Sequence, residues 1–265
     1  MLNLQILMIP GMLCNASHLR NLRKSLQENG LNAKALSLPA HDINPEDPPL
    51  PTLSKMGLNS YTSFVLDQVQ NNFNRHNIPV VLLGHSMGGL LTLKTIEAFA
   101  GKENTDILKA GIILGSAPPA GFFGFTWPNF FGFLSAPAAL WGNPFKLPVE
   151  VYGKLFMNEQ KPDLQETVGK SIVWESGKAF KQIAMPLFDS RKEAKINFKK
   201  IKKPLLILGA GKDLSTPARI QRRIAHRAKP STYFEFPELD HYGLIDGPNL
   251  TKVVEQITLF LRKLN

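Results

Sequence analysis

The chain has 265 residues, 43% of them hydrophobic and 20% charged, with a formal net charge of +10. That length suits one α/β domain burying about three quarters of its unfolded surface, and no internal repeat or low-complexity tract argues for a solenoid or a disordered chain. A single cysteine, Cys14, excludes an internal disulfide and allows a reducing compartment.

The basic excess raises nucleic acid or an anionic membrane surface as partners. The Lys and Arg residues are scattered, however, and neither zinc-finger spacing nor a recognition-helix pattern is present, so nucleic acid is not expected. The densest run, Lys199-Lys200-Ile201-Lys202-Lys203, reads first as a solvated loop; peripheral contact with an anionic membrane stays open. No apolar run reaches the length of a membrane span.

In chain order, the apolar start runs straight into Pro10-Gly11 and lacks a basic leader, so residues 5–9 read as a first strand rather than a signal peptide. A cytoplasmic location is the expectation. Residues 17–28 place Leu19, Leu22 and Leu26 on one helical side, with Asn29-Gly30 as a stop. A strand is expected at 34–38, then a helix over 59–74 carrying Phe64, Val65, Val69 and Phe73. The run Val80-Val81-Leu82-Leu83 predicts a strand buried on both faces, followed by a helix over 88–100. Further strands are expected at 111–114, 205–208 and 232–236, and a last helix over 249–264 with Val253, Ile257, Phe260 and Leu261 on one face.

Alternation of strand and helix predicts a mostly parallel, doubly wound sheet. One stretch interrupts it. Residues 117–200 hold no convincing core strand, but they hold Phe122, Phe123, Phe125, Trp127, Phe130, Phe131 and Phe133 and helical pieces around Lys154, Val168 and Phe180. The expectation is a helical cap at 117–200 inserted between core strands, with the core formed by 1–116 and 201–265. Its aromatic residues either line an apolar pocket or only pack the cap onto the core.

The chemistry concentrates around Gly84-His85-Ser86-Met87-Gly88. Gly-x-Ser-x-Gly alone is modest evidence, but here it follows a strand and opens a helix, the setting of a nucleophile elbow. A strained turn leaves no room for side chains two residues either side of the serine, and Gly84 and Gly88 meet that demand. Serine needs a base. Of six histidines, His241 stands out, because it follows the last predicted strand at the carboxyl edge of the sheet, where ligands bind. His85 adjoins the nucleophile with its ring expected to point away from Oγ. His18, His76 and His226 read as surface residues on helices, and His41 as a residue near the pocket rim. Asp213, directly after the strand at 205–208, is the carboxylate best placed to orient His241. Asp240 is too close in sequence to reach the same imidazole, and Asp246 reads as a cap on the turn before the last helix. For the oxyanion, the Met87 N–H is one expected donor and the Met12 N–H the other, with Gly11 allowing close approach of the backbone. Cys14 reads as a packing residue.

These residues together resemble the α/β-hydrolase family over nearly the whole chain. Gly84-His85-Ser86-Met87-Gly88-Gly89 is similar to the elbow of lipases, monoacylglycerol-lipase-like enzymes and small esterases. The order Ser86, Asp213, His241 is the family's order, and 117–200 occupies its cap position. The resemblance implies an ester hydrolase acting on a small, apolar or lipid-like molecule, without metal or organic cofactor. Ser86 at the elbow departs from haloalkane dehalogenases, which carry aspartate there. Gly11 and Tyr242 depart from plant hydroxynitrile lyases, which carry Thr and Lys. Thioesterase, acyltransferase and cofactor-free haloperoxidase chemistry use the same triad, and a ligand-binding protein on the same scaffold is a further alternative.

Overall fold

The computed structural model describes residues 3–100, 105–122, 132 and 134–264. Six strands form one sheet: β1 (Gln5–Ile9), β2 (Asn32–Ala35), β3 (Val80–His85), β4 (Leu108–Leu114), β5 (Leu205–Ala210) and β6 (Ser231–Phe236). Their order is β2-β1-β3-β4-β5-β6, and every neighbouring pair is parallel. β1, β3 and β5 are buried along their full length, which is why their sequences are apolar without alternation. The edge strands β2 and β6 alternate between exposed and covered residues instead.

Successive residues of each inner strand feed opposite faces. Ile6, Met8, Val81, Leu83 and Leu206 pack with Leu22 and Leu26 of α1 (Arg20–Glu28) and with Val253 and Ile257 of the last helix. Leu7, Ile9, Val80, Leu82 and Ile207 pack with Val65 and Val69 of α2 (Leu58–His76), and with Leu90 and Leu93 of α3 (Met87–Phe99). The sheet is therefore covered on both sides, as the alternating pattern predicts.

Between β4 and β5 the described residues contain a helical cap: α4 (Pro137–Leu140), α5 (Val149–Phe156), α6 (Pro162–Ser171) and α7 (Gly177–Ala184). The remaining helices are α8 (Ala218–Arg227) and α9 (Leu250–Arg262). The three helical pieces expected around Lys154, Val168 and Phe180 are α5, α6 and α7. Most of the aromatic run expected to shape the cap (Phe123, Phe125, Trp127, Phe130, Phe131, Phe133) lies outside the described residues.

One strand is displaced from its expectation. β2 covers Asn32–Ala35 rather than 34–38, since Gln5 pairs with Asn32 and Met8 with Ala35. The chain stays hydrogen-bonded one residue further, through Leu36 N–H to the Met8 carbonyl at 2.9 Å. Asn-Ala-Lys-Ala has little apolar character, so the sequence draws the eye to Leu36 and Leu38, which enter the core just beyond the ladder. Among the described residues no helix is long and apolar enough to cross a membrane.

Candidate active site

The carboxyl ends of β3, β5 and β6 converge on one region. At the end of β3 the chain turns into α3 through Ser86, whose φ of 55° and ψ of −120° lie where L-residues rarely sit. The turn is fastened to its surroundings. Ser86 N–H donates to the Leu114 carbonyl at 3.0 Å, and the Ser86 carbonyl accepts from Gly89 and Ala117, each at 2.9 Å. The two flanking glycines have different causes. A methyl at Gly84 would meet the Gly88 carbonyl oxygen at 2.0 Å, and one at Gly88 would meet the Ile9 carbonyl oxygen at 2.2 Å. Gly84 thus makes the turn itself possible, and Gly88 lets α3 begin against the end of β1.

Asp213 follows β5 and His241 follows β6. His241 Nδ1 donates to Asp213 Oδ2 at 2.7 Å, with both side chains buried. The other oxygen, Oδ1, accepts the N–H groups of Ser215 at 2.8 Å and Thr216 at 2.7 Å. Thr216 Oγ1 lies 2.8 Å from Oδ2 and 2.9 Å from the Gly115 carbonyl. Burial alone would raise the Asp213 pKa, but His241 and the hydrogen bonds from Thr216 outweigh it and hold the carboxyl below its usual range. A charged Asp213 fixes the proton of His241 on Nδ1, which leaves Nε2 as the basic nitrogen.

His85 packs its ring on His241 with centroids 4.4 Å apart, and its Nε2 lies 3.1 Å from the His241 carbonyl. Burial, and then the charge at His241, push its pKa down to about 3, so it stays neutral. It supports the loop that carries His241. Asp240 does not reach the imidazole. It accepts from the N–H of Gly243 at 2.7 Å, and from Glu159 N–H and Gln160 Nε2 of the cap, each at 2.9 Å. Asp246 closes the turn before α9, accepting from Gly247 N–H and the Tyr242 hydroxyl, each at 2.7 Å.

The loop after β1 runs beside the elbow. A methyl at Gly11 would lie 2.9 Å from Ser86 Cβ and 3.5 Å from Ser86 Oγ, so only glycine allows this approach. Met12 follows and is half-buried against both core layers. Met87, buried, is the first residue of α3. Cys14 is buried 3.6 Å from the Tyr152 hydroxyl, and burial pushes its thiol up to about 12, so it is a packing residue and no thiolate.

Two histidine expectations require correction. His41 is fully buried rather than at a pocket rim, because Glu175 from the cap folds down over it. His18 is half-buried rather than on the surface. Its Nε2 lies 3.2 Å from Ser171 Oγ of α6, and burial pushes its pKa down to about 4. His76 and His226 are exposed.

Four contributors escaped the sequence reading. Thr216 serves Asp213 through an i, i+3 turn, and Asp-x-x-Thr is the local signal that could have exposed it. Gln221 on α8 exchanges two hydrogen bonds with the Ser116 backbone, at 3.0 and 2.9 Å, and so steadies the strand end beside the elbow. Phe156 of α5 lies with its ring 5.5 Å from that of His241 and 4.9 Å from that of Tyr152, making an apolar wall over His241. Glu175 is the fourth. Elsewhere, a cavity of about 890 Å³ is lined by Glu97 together with Arg191, Lys192, Lys195, Lys199 and Arg227, and by none of the loops around Ser86.

The fold agrees with the comparison to known proteins. The sequence profile of the alpha/beta hydrolase family matches residues 6–251, and the chain belongs to that family. Among curated proteins, none matches it by sequence. Among solved structures, it is similar to a lipase-esterase related protein from Clostridium acetobutylicum, at 18% identity and a TM-score of 0.70 over 97% of this chain and 94% of the other. A monoacylglycerol lipase from Paleococcus ferrophilus aligns at 19% identity and a TM-score of 0.68, covering 98% and 95%. An extracellular alpha/beta-hydrolase from a Paenibacillus species, described as sharing structural and functional homology with tobacco salicylic acid binding protein 2, aligns at 16% and 0.70, covering 97% and 98%.

Proposed function

We propose that this chain is a serine hydrolase that cleaves a carboxylic ester through an acyl-enzyme, with Ser86 as nucleophile, His241 as base and Asp213 as its orienting carboxylate. The observation that carries the reading is the left-handed Ser86 elbow set at the same sheet edge as the buried His241–Asp213 hydrogen bond. In this scheme His241 Nε2 takes the Ser86 proton as Oγ adds to the ester carbonyl. The Met12 and Met87 N–H groups receive the oxyanion, and Gly11 keeps the loop close enough to do so. His241 then protonates the leaving alcohol, and water, deprotonated by the same nitrogen, releases the acid. The scheme calls on no metal or organic cofactor.

The division we propose has a core of 1–116 and 201–265 and a cap of 117–200 that contributes the acyl pocket. Phe156 over His241, with Tyr152 packed against it, favours a small apolar or lipid-like acyl group. The cationic wall formed by Arg191, Lys192, Lys195, Lys199 and Arg227 supports contact with an anionic membrane surface as the place where such a substrate is met. The single buried thiol suits a reducing compartment such as the cytoplasm.

A fluorophosphonate probe should label the wild-type chain and not Ser86→Ala, and Ser86→Ala should lower turnover of p-nitrophenyl esters by about 10⁶-fold with its fold intact. Labelling or turnover that survives in Ser86→Ala removes the assignment. A panel of esters, thioesters and lactones tests the substrate class, and a flat profile against acyl chain length removes the lipid-like preference.

A further inference from the structure

Glu175 lies in the cap between α6 and α7, fully buried and outside the proposed triad. Its two oxygens meet groups from four parts of the chain. Oε1 accepts the Tyr61 hydroxyl of α2 at 3.0 Å and the Ser176 N–H at 2.6 Å. Oε2 accepts the Leu13 N–H at 3.2 Å and lies 3.2 Å from His41 Nε2, an electrostatic contact rather than a formed hydrogen bond. On the far side of that ring, His41 Nδ1 lies 3.0 Å from the Pro39 carbonyl. Both nitrogens of His41 therefore face acceptors, an arrangement that a protonated ring serves and a neutral ring does not.

Leu13 is the informative partner. Its φ is 65°, a left-handed conformation that a side chain with Cβ adopts only when its surroundings impose it. Both of its backbone polar groups are taken by one cap segment. Glu175 receives its N–H, and Val173 N–H donates to its carbonyl at 2.9 Å. Leu13 directly follows Met12 and Gly11, the loop whose backbone presses on Ser86. A clamp on Leu13 is thus a clamp on the peptide planes immediately before it.

We propose that Glu175, backed by His41 and Tyr61, is a positioning residue for the oxyanion loop: it holds Leu13 in its left-handed turn and thereby aims the Met12 N–H at the oxygen that develops charge beside Ser86. The inference rests on the serine-hydrolase reading above and extends it, because it makes the cap a determinant of rate as well as of substrate choice. Glu175 touches neither substrate nor the reacting serine.

The test is steady-state hydrolysis of p-nitrophenyl butyrate by wild type, Glu175→Gln and Tyr61→Phe. Each is normalised to sites titrated with fluorophosphonate, and inhibition by an alkyl trifluoromethyl ketone is measured in parallel. A donor lost outright costs about 10²–10³ in kcat. A donor misaimed should cost less, and Glu175→Gln is expected to lose about 10–100-fold in kcat, with KM within about twofold and ketone affinity falling in step with kcat. Tyr61→Phe, which keeps the carboxylate, should lose about threefold in the same pattern. A KM increase at unchanged kcat, or wild-type kcat per titrated site, overturns the proposal. Should Glu175→Gln not fold, Tyr61→Phe decides alone, and wild-type kcat and ketone affinity there overturn it. A wild-type chain inert to both ester and phosphonate removes the serine-hydrolase reading and this inference together. A reactive wild type with unaffected variants removes this inference only.

Discussion

Asp213 and Glu175 are both buried carboxylates that face a histidine and accept two backbone N–H groups, yet they are assembled in opposite ways. Asp213 draws on Ser215 and Thr216, two and three residues along the chain, and on His241, 28 residues away. Glu175 reaches Leu13 across 162 residues and Tyr61 across 114. The first cluster is built from loops of one sheet edge, the second from the meeting of cap and core. A local cluster survives small movements of the cap, whereas the second exists only while the cap is docked. In the proposed mechanism, the contrast separates the group that would orient the base from the group that would couple the cap to the reaction.

The largest expected effect falls on the local cluster. Asp213→Asn should lower kcat by about 10⁴-fold, because it misassigns the His241 proton without emptying the site. Rates within tenfold of wild type would break the claim that Asp213 orients the base. The second effect falls on the long-range cluster and on stability. Glu175→Ala should cost about 3–5 kcal/mol in denaturant unfolding, since it leaves His41 and the Tyr61 hydroxyl buried without their partner. A cost below about 1 kcal/mol would mean that water or rearrangement replaces the carboxylate readily.

The smallest effects lie in pH dependence, and the two clusters should fail at opposite ends. Asp213 has a lowered pKa, so its contribution to stability is present above the ordinary carboxylate value of 3.8 and is lost as pH falls through the lower native value. For His41, burial lowers the pKa, but the Glu175 charge and the Pro39 carbonyl outweigh it and the net direction is upward. Its contribution is therefore fully present below 6.5 and is lost as pH rises through the raised native value. Glu175, Tyr61 and Cys14 are the titratable groups that share this environment, and burial holds Tyr61 and Cys14 protonated across that window. Melting temperature measured against pH should lose its acid slope in Asp213→Asn and its alkaline slope in His41→Asn. An alkaline slope unchanged in His41→Asn would place the titration elsewhere.

Much of the local cluster was legible in the residues themselves. The elbow depends on a strand, a serine and two glycines within five positions, and the crowding that demands those glycines acts over that same span. The parallel sheet and its two-sided core follow from continuous apolar runs that alternate with helical patterns. The edge strand β2 begins two residues and ends three residues before its expected span because an edge needs little apolar character, so its ladder is set by pairing with Gln5 and Met8 rather than by its own composition. His41 and His18 were misjudged for a related reason. Burial of a histidine is decided by what folds over it, and here that is the cap.

Ser86, His241 and Asp213 were thus nominated by the sequence alone, since strand–turn–helix context and chain order are properties of neighbouring residues. The placement of Glu175 over Leu13, of Phe156 over His241 and of Ser171 beside His18 was decided only by the tertiary structure. Those contacts join segments more than a hundred residues apart or across the cap, and no local periodicity records which apolar faces will meet. The physical reason is range: backbone sterics and hydrophobic period act over a few residues, whereas a buried carboxylate finds its partners only when separate layers close around it.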